Sequence, residues 1–224
     1  MSESHARLAT DSEGLLGHHF DDLAQQHEAN RLGMWIFLAT EIMFFGAVFV
    51  AYTVYRFNYP DAFAAGSRLL DVVLGTINTG VLLLSSLTMA LAVYSAETGR
   101  RKLLVAFLLI TMLLGLTFLG IKGLEYYHKY QEQLIPLAGL PFAYEGAAPE
   151  QVALFLSLYL TMTGIHALHL LIGIGALAVF IFLAWRGHFT RGDYVPVELL
   201  GLYWHFVDIV WVFLFPLLYL VDRT

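Results

Sequence analysis

The stretch Gly201-Leu-Tyr-Trp-His-Phe-Val-Asp-Ile-Val-Trp-Val-Phe-Leu-Phe215 places a histidine and a carboxylate in the middle of an otherwise apolar run. The run extends from Val197 to Val221, about the length that crosses a bilayer hydrocarbon core as one helix at roughly 1.5 Å per residue. His205 and Asp208 lie three apart and share a helical face, while Trp204 and Trp211, seven apart, form a neighbouring stripe. An ionisable group at that depth costs roughly 2.5 to 3.5 kcal/mol on insertion scales, so it turns toward protein rather than lipid. This helix is therefore expected to have helical partners, with Trp204, His205, Asp208 and Trp211 at the interface.

The rest of the chain is of the same kind. Its 224 residues are 58 % hydrophobic and 13 % charged, and the mean hydropathy is +0.68, which places it among polytopic all-α membrane proteins. A formal net charge of -6 with scattered basic residues offers no surface for nucleic acid. With no cysteine, the chain cannot supply a disulfide, a cysteine-ligated iron-sulfur cluster, a thiolate-ligated copper or a cysteine nucleophile.

In chain order, residues 1–31 are polar and acidic and lack the basic start and apolar core of a signal peptide, so they are expected to stay on the mature protein. Their histidines His5, His18, His19 and His27 read as a solvated segment and are given no site. Residues 32–224 read as one transmembrane domain with five spans at about 32–55, 69–94, 103–121, 152–185 and 197–221. Glu41 stands some nine residues into the first. Pro60 and Gly66 mark residues 56–68 as a short connection. In the second span Asn78-Thr79 and Ser85-Ser86 supply uncharged groups for bonds between helices. The third span leads into Lys122-Gly-Leu-Glu-Tyr-Tyr-His, whose mixed charge and aromatic character suits the membrane-water interface. The loop from Gln131 to Glu150, with Pro136, Pro141 and Pro149, is expected to pack as a cap. The fourth apolar run, with His166 and His169, is longer than a bilayer needs and must tilt or project.

Lysine and arginine favour one set of loops over the other: Arg7, Arg31, Arg100, Arg101, Lys102, Arg186 and Arg191 against Arg56, Arg68, Lys122, Lys129 and Arg223. By the positive-inside rule the N-terminus is expected in the cytoplasm and, after five spans, the C-terminus outside.

Three readings compete for the polar groups inside the spans. Two histidines could ligate a haem, but His166 and His169 project from one helix on nearly the same side and cannot hold opposite axial positions, so His205 would have to pair with one of them. Glu41, Asp208 and the histidines could form a proton or ion path, although the spans around Glu41 and Asp208 are continuous and aromatic. The plainest reading is structural: bonds between helices, contacts with lipid headgroups, or docking of a partner subunit.

Three blocks in order add a resemblance. Trp35-Ile-Phe-Leu-Ala-Thr-Glu-Ile-Met-Phe-Phe-Gly, Thr163-Gly-Ile-His-Ala-Leu-His and Gly201-Leu-Tyr-Trp-His-Phe-Val-Asp-Ile-Val-Trp resemble the glutamate-bearing, double-histidine and tryptophan-histidine helices of subunit III of cytochrome c oxidase, in the haem-copper oxygen reductases. Asn78-Thr79, Ser85-Ser86 and Glu125-Tyr126 are weaker matches between them. The resemblance implies an accessory subunit without catalytic residues, metal or redox cofactor of its own, set in a bacterial inner membrane beside subunits I and II. The haems and copper would lie in those partners. In the family this subunit is associated with sustained turnover, proton uptake, held phospholipids and oxygen guidance. Glu41, Glu125, His166 and His169 fall to proton-path or lipid-associated roles, and Asn78 joins the interface residues of the last span. Relative to the commoner seven-helix form the first two helices are missing, so the family's lipid cleft is either absent or takes its other wall from another subunit. The subunit-III-like protein of bacterial nitric oxide reductase shares the five-helix plan, and a free-standing transporter is the alternative of a different class.

Overall fold

The computed structural model describes residues 23–136, 141–189 and 194–221. His5, His18 and His19, and all but the last nine residues of the polar segment 1–31, lie outside these described residues. The regular structure among the described residues is entirely helical: α1 (Leu23–Asn58), α2 (Pro60–Arg68), α3 (Val72–Glu97), α4 (Arg101–Gln131), α5 (Pro149–Arg186) and α6 (Val195–Tyr219). All but α2 are long and apolar enough to cross a membrane. At 38 residues, α5 is about 57 Å long at 1.5 Å per residue, well beyond the roughly 30 Å of hydrocarbon.

The chain divides into two compact units inside α1, the first ending at Phe44 and the second starting at Phe45. The described part of the first unit is a single helical stretch. The second unit is built on a ring of four helices in which α3 packs on α4 and α6, and α5 packs on the same two. Trp204 of α6 lies against Gly173 of α5, Trp211 against His166, and Tyr219 against Tyr159. As the α6 numbers rise the α5 numbers fall, so these two helices are antiparallel. By the same reading α4 runs parallel to α6, with Gly115 at Trp204, Phe118 at Trp211 and Lys122 at Tyr219.

Local chemistry fixes the ends. The Asp71 carboxylate accepts the amides of Val73 (2.9 Å) and Leu74 (3.1 Å) at the start of α3, an N-cap of the kind worth about 1 kcal/mol. At the end of α5, Gly187 adopts φ +82°, a left-handed conformation natural to glycine. Arg101 Nε donates to the carbonyl of Ala184 at 3.0 Å, which puts a cation at the negative end of α5.

Two expectations change. Residues 60–68 are a helix rather than a plain connection. Pro60 sits in its first turn, where no amide is needed, and Gly66 is kept free of a side chain because the Phe155 ring occupies the place a Cβ would take. Phe63 then stacks edge-on against Tyr52 (5.4 Å) and Phe155 (5.3 Å), and the Tyr52 hydroxyl donates to the Leu217 carbonyl. The helix of the third span does not stop at Ile121: α4 continues to Gln131, and Lys122 and Glu125 on it are buried in the bundle.

Candidate functional site: a layered polar core

At one end of the bundle a lysine and a glutamate are buried together, at 4 % and 2 % exposure. Their spacing of three on α4 puts both on one face. Lys122 Nζ donates to Glu125 Oε2 at 3.1 Å, to the Tyr159 hydroxyl at 3.2 Å and to the Tyr219 hydroxyl at 2.6 Å, so all three ammonium protons have acceptors. Each tyrosine passes its own proton to Glu125 Oε1, at 2.8 Å from Tyr159 and 2.6 Å from Tyr219. The ring of Trp211 lies 5.0 Å from the ammonium, where its face adds cation–π attraction. The network joins α4, α5 and α6. Beside it, Tyr126 and Thr163 share a hydrogen bond between α4 and α5.

The next layer is organised by Trp211. Its ring stands edge-on to Phe118 at 4.7 Å and tilted against His166 at 5.2 Å, and its indole N–H donates to Thr79 Oγ1 at 3.0 Å. Asn78 Nδ2 reaches the Phe118 carbonyl at 3.4 Å. Trp204 repeats the device further along α6, donating to Ser85 Oγ at 3.0 Å. The serine and threonine hydroxyls each donate back to their own helix, at Leu82 and Gly75. Gly115 and Gly173 flank the Trp204 ring, where a Cβ would come within 2.9 and 3.1 Å of it.

Asp208 lies between the two tryptophans and shares their buried face, at 3 % exposure. The tryptophan stripe that neighbours the His205–Asp208 face therefore shares Asp208 with it. Steps of four and three connect 204, 208 and 211, whereas His205 is turned about 100° from Trp204 and sits half-buried at the margin. There His205 Nδ1 pairs with Ser86 Oγ at 2.7 Å.

Of the other residues singled out by the sequence, His169 is half-buried, its Nδ1 2.9 Å from the Ile165 carbonyl of its own helix and its ring 5.1 Å from Phe45. Glu41 belongs to the first unit, on α1. The structure thus brings Glu125, His166, Asn78, Trp204, Trp211 and Asp208 into one core. Sequence reasoning misses Lys122, Tyr159 and Tyr219. The available signal is the Lys122/Glu125 spacing, an opposite-charge pair on one helical face. The arrangement can hold charge and fix helix register. Among the described residues no three histidine, aspartate or glutamate side chains come together as a metal ligand set.

Comparison with known proteins gives one family. The description "Cytochrome c oxidase subunit III" matches residues 7–134 and 142–222. The chain is similar to the probable quinol oxidase subunit 3 of Staphylococcus haemolyticus, with 29 % identity over 205 residues, 91 % of this chain and 94 % of that protein. It is 30 % identical to the cytochrome bo(3) ubiquinol oxidase subunit 3 of Pseudomonas aeruginosa over 206 residues, covering 92 % and 91 % of the two. The probable quinol oxidase subunit 3 of Staphylococcus aureus is 31 % identical over 205 residues, 91 % and 94 %. The spanning helices and bacterial relatives together make this an integral protein of the bacterial inner membrane.

Proposed function

Because the chain belongs to the cytochrome c oxidase and quinol oxidase subunit III family of the haem-copper oxidases, and so has that family's accessory role, we propose that it serves a terminal oxidase whose electron donor is a quinol. The observation that carries the choice of donor is length. The chain spans 94 %, 91 % and 94 % of three relatives named as quinol oxidase subunits, so its five apolar helices match nearly their whole length, whereas the seven-helix form would leave a pair of helices unmatched. The donor that the sequence resemblance implies, cytochrome c, is the finer alternative within the same family.

In this reading the chain carries no electrons. It sits beside catalytic subunit I, which holds the haems and copper, and subunit II, with its N-terminus in the cytoplasm. It supports assembly, sustained turnover and proton uptake. Glu41 and His169 are its proton-path or lipid-associated residues, and phospholipid is its ligand in the membrane. Glu125 and His166 are assigned a holding role instead, since both Glu125 oxygens are occupied inside the bundle and His166 is enclosed by Phe118 and Trp211.

The test is to purify the complex through a tag on this chain, identify its subunits and haems, and compare oxygen uptake with ubiquinol and with reduced cytochrome c. Co-purification of a haem-bearing subunit and oxygen uptake driven by ubiquinol are expected. Uptake driven only by cytochrome c would move the chain to the other branch of the family. Nitric oxide consumption without oxygen uptake would favour the reductase reading, and solute transport by the chain alone in liposomes would overturn the accessory role.

A further inference from the structure

Three side chains in the bundle are buried with polar atoms that have no hydrogen-bond partner: both oxygens of Asp208, both ring nitrogens of His166 and Oδ1 of Asn78. Their exposures are 3 %, 1 % and 0 %. They come from α6, α5 and α3, yet they occupy adjacent levels. His166 and Asn78 belong to the Trp211 layer, the first by ring contact and the second through Phe118 and its neighbour Thr79. Asp208 is three residues from Trp211, a rise of about 4.5 Å along the helix.

The nearby polar groups leave them short of partners. Ser86 lies within reach of the Asp208 carboxyl and also pairs with His205 Nδ1 at 2.7 Å, but with a single hydroxyl proton it serves at most one of the two Asp208 oxygens. The Ser85 and Thr79 hydroxyls each donate to a backbone carbonyl and accept an indole N–H. The Asn78 amide nitrogen points to the Phe118 carbonyl. By the antiparallel register of α6 with α5 and α3, the side chains level with Asp208 include Leu170 and Leu82, both apolar and buried. A buried polar group left unsatisfied costs about 1–3 kcal/mol, and more when charged. Three such groups within one turn share the requirement for a small species that both donates and accepts.

We propose that ordered water occupies the bundle core between the Trp204 and Trp211 layers and bridges the Asp208 carboxyl to His166 and Asn78. Water fits this donor set. It can donate to a carboxylate oxygen, an imidazole nitrogen and an amide oxygen, accept from a protonated ring nitrogen, and make the roughly three hydrogen bonds usual for a buried water. The water would join Asp208 to His166 and Asn78, whose side chains make no direct hydrogen bond to one another. This inference rests on the bundle alone and does not depend on the identity of the electron donor.

The decisive measurement is an experimental structure of the chain, in whatever membrane assembly it purifies with, at a resolution that shows water. At least one water within about 3.2 Å of an Asp208 oxygen, with its next bond to His166 or Asn78, is expected. Direct pairing of these side chains with other protein groups, a dry core, or a peak of metal strength and coordination would each overturn the proposal. Substitutions give a second readout through thermal unfolding of the same assembly. Asp208→Leu and His166→Leu should each lower the Tm, and the double variant should lose less than the sum, because the first substitution already removes the shared water. Strictly additive losses would overturn the bridge. Should the variants fail to accumulate, the structure of the unaltered chain still decides.

Discussion

Lys122 and Glu125 illustrate how a charge is made tolerable inside a membrane bundle. Their attraction alone does not offset the loss of hydration, because each ion in a low-dielectric interior carries a penalty of several kcal/mol. What balances it is complete satisfaction by Tyr159 and Tyr219, which both accept from the ammonium and donate to the carboxylate. The pair should therefore tolerate removal together and not separately. Lys122→Met alone leaves a buried carboxylate without its cation and is expected to destabilise the subunit by about 3–5 kcal/mol. The double variant Lys122→Met with Glu125→Leu should recover most of that loss. Thermal unfolding of the purified subunit, or its folded yield in membranes, checks both, and a double variant as poor as the single would show that the ions matter one by one. A milder probe is Tyr219→Phe, which keeps the ring in the core but removes one acceptor and one donor. A loss of about 1–3 kcal/mol is expected, and an unchanged melting temperature would place the network outside the stability of the fold.

At the scale of the helix, the contact between Trp204 and two glycines sets how closely α4 and α5 approach α6. Gly115→Ala would bring a methyl within 2.9 Å of the indole, whose neighbouring atoms already lie close to Gly173. An overpacked site of this kind costs about 1–3 kcal/mol, and Trp204→Phe in the same chain should relieve part of it. Melting curves of the three variants measure the recovery, and its absence would mean that the cost arises elsewhere. Helix placement was largely legible in the sequence, since runs such as 197–221 leave little choice but a span. The end of α4 was not legible, for a physical reason. A hydropathy reading stops at the first charge, and what keeps Lys122 buried is a pair of tyrosines 37 and 97 residues further along the chain. The helical character of α2 was hidden similarly, because Gly66 reads locally as a breaker and only the Phe155 ring shows why a glycine is needed there. Of the core, His166, Asp208, Asn78 and the two tryptophans could be named from their depth in apolar runs. Their grouping into layers could not, because it depends on the register between helices.

For the molecule as a whole, the proposed topology puts the α3–α4 turn in the cytoplasm and the α4–α5 loop outside. The chain has no cysteine, so single replacements give an unambiguous signal. Glu97→Cys should react with a membrane-impermeant maleimide only from the cytoplasmic face, and Glu145→Cys only from the outer face. The reverse pattern would invert the molecule. The indoles divide in another way. Trp35 and Trp185 are 60 % and 66 % exposed on the isolated chain, whereas Trp204 and Trp211 are fully enclosed, and these four are all the tryptophans it has. Its ultraviolet emission should therefore contain two populations, one open to contact quenching by brominated acyl chains and one shielded by the bundle. When a second subunit covers Trp35 or Trp185, the quenchable fraction should fall, so docking can be followed optically without attaching a dye.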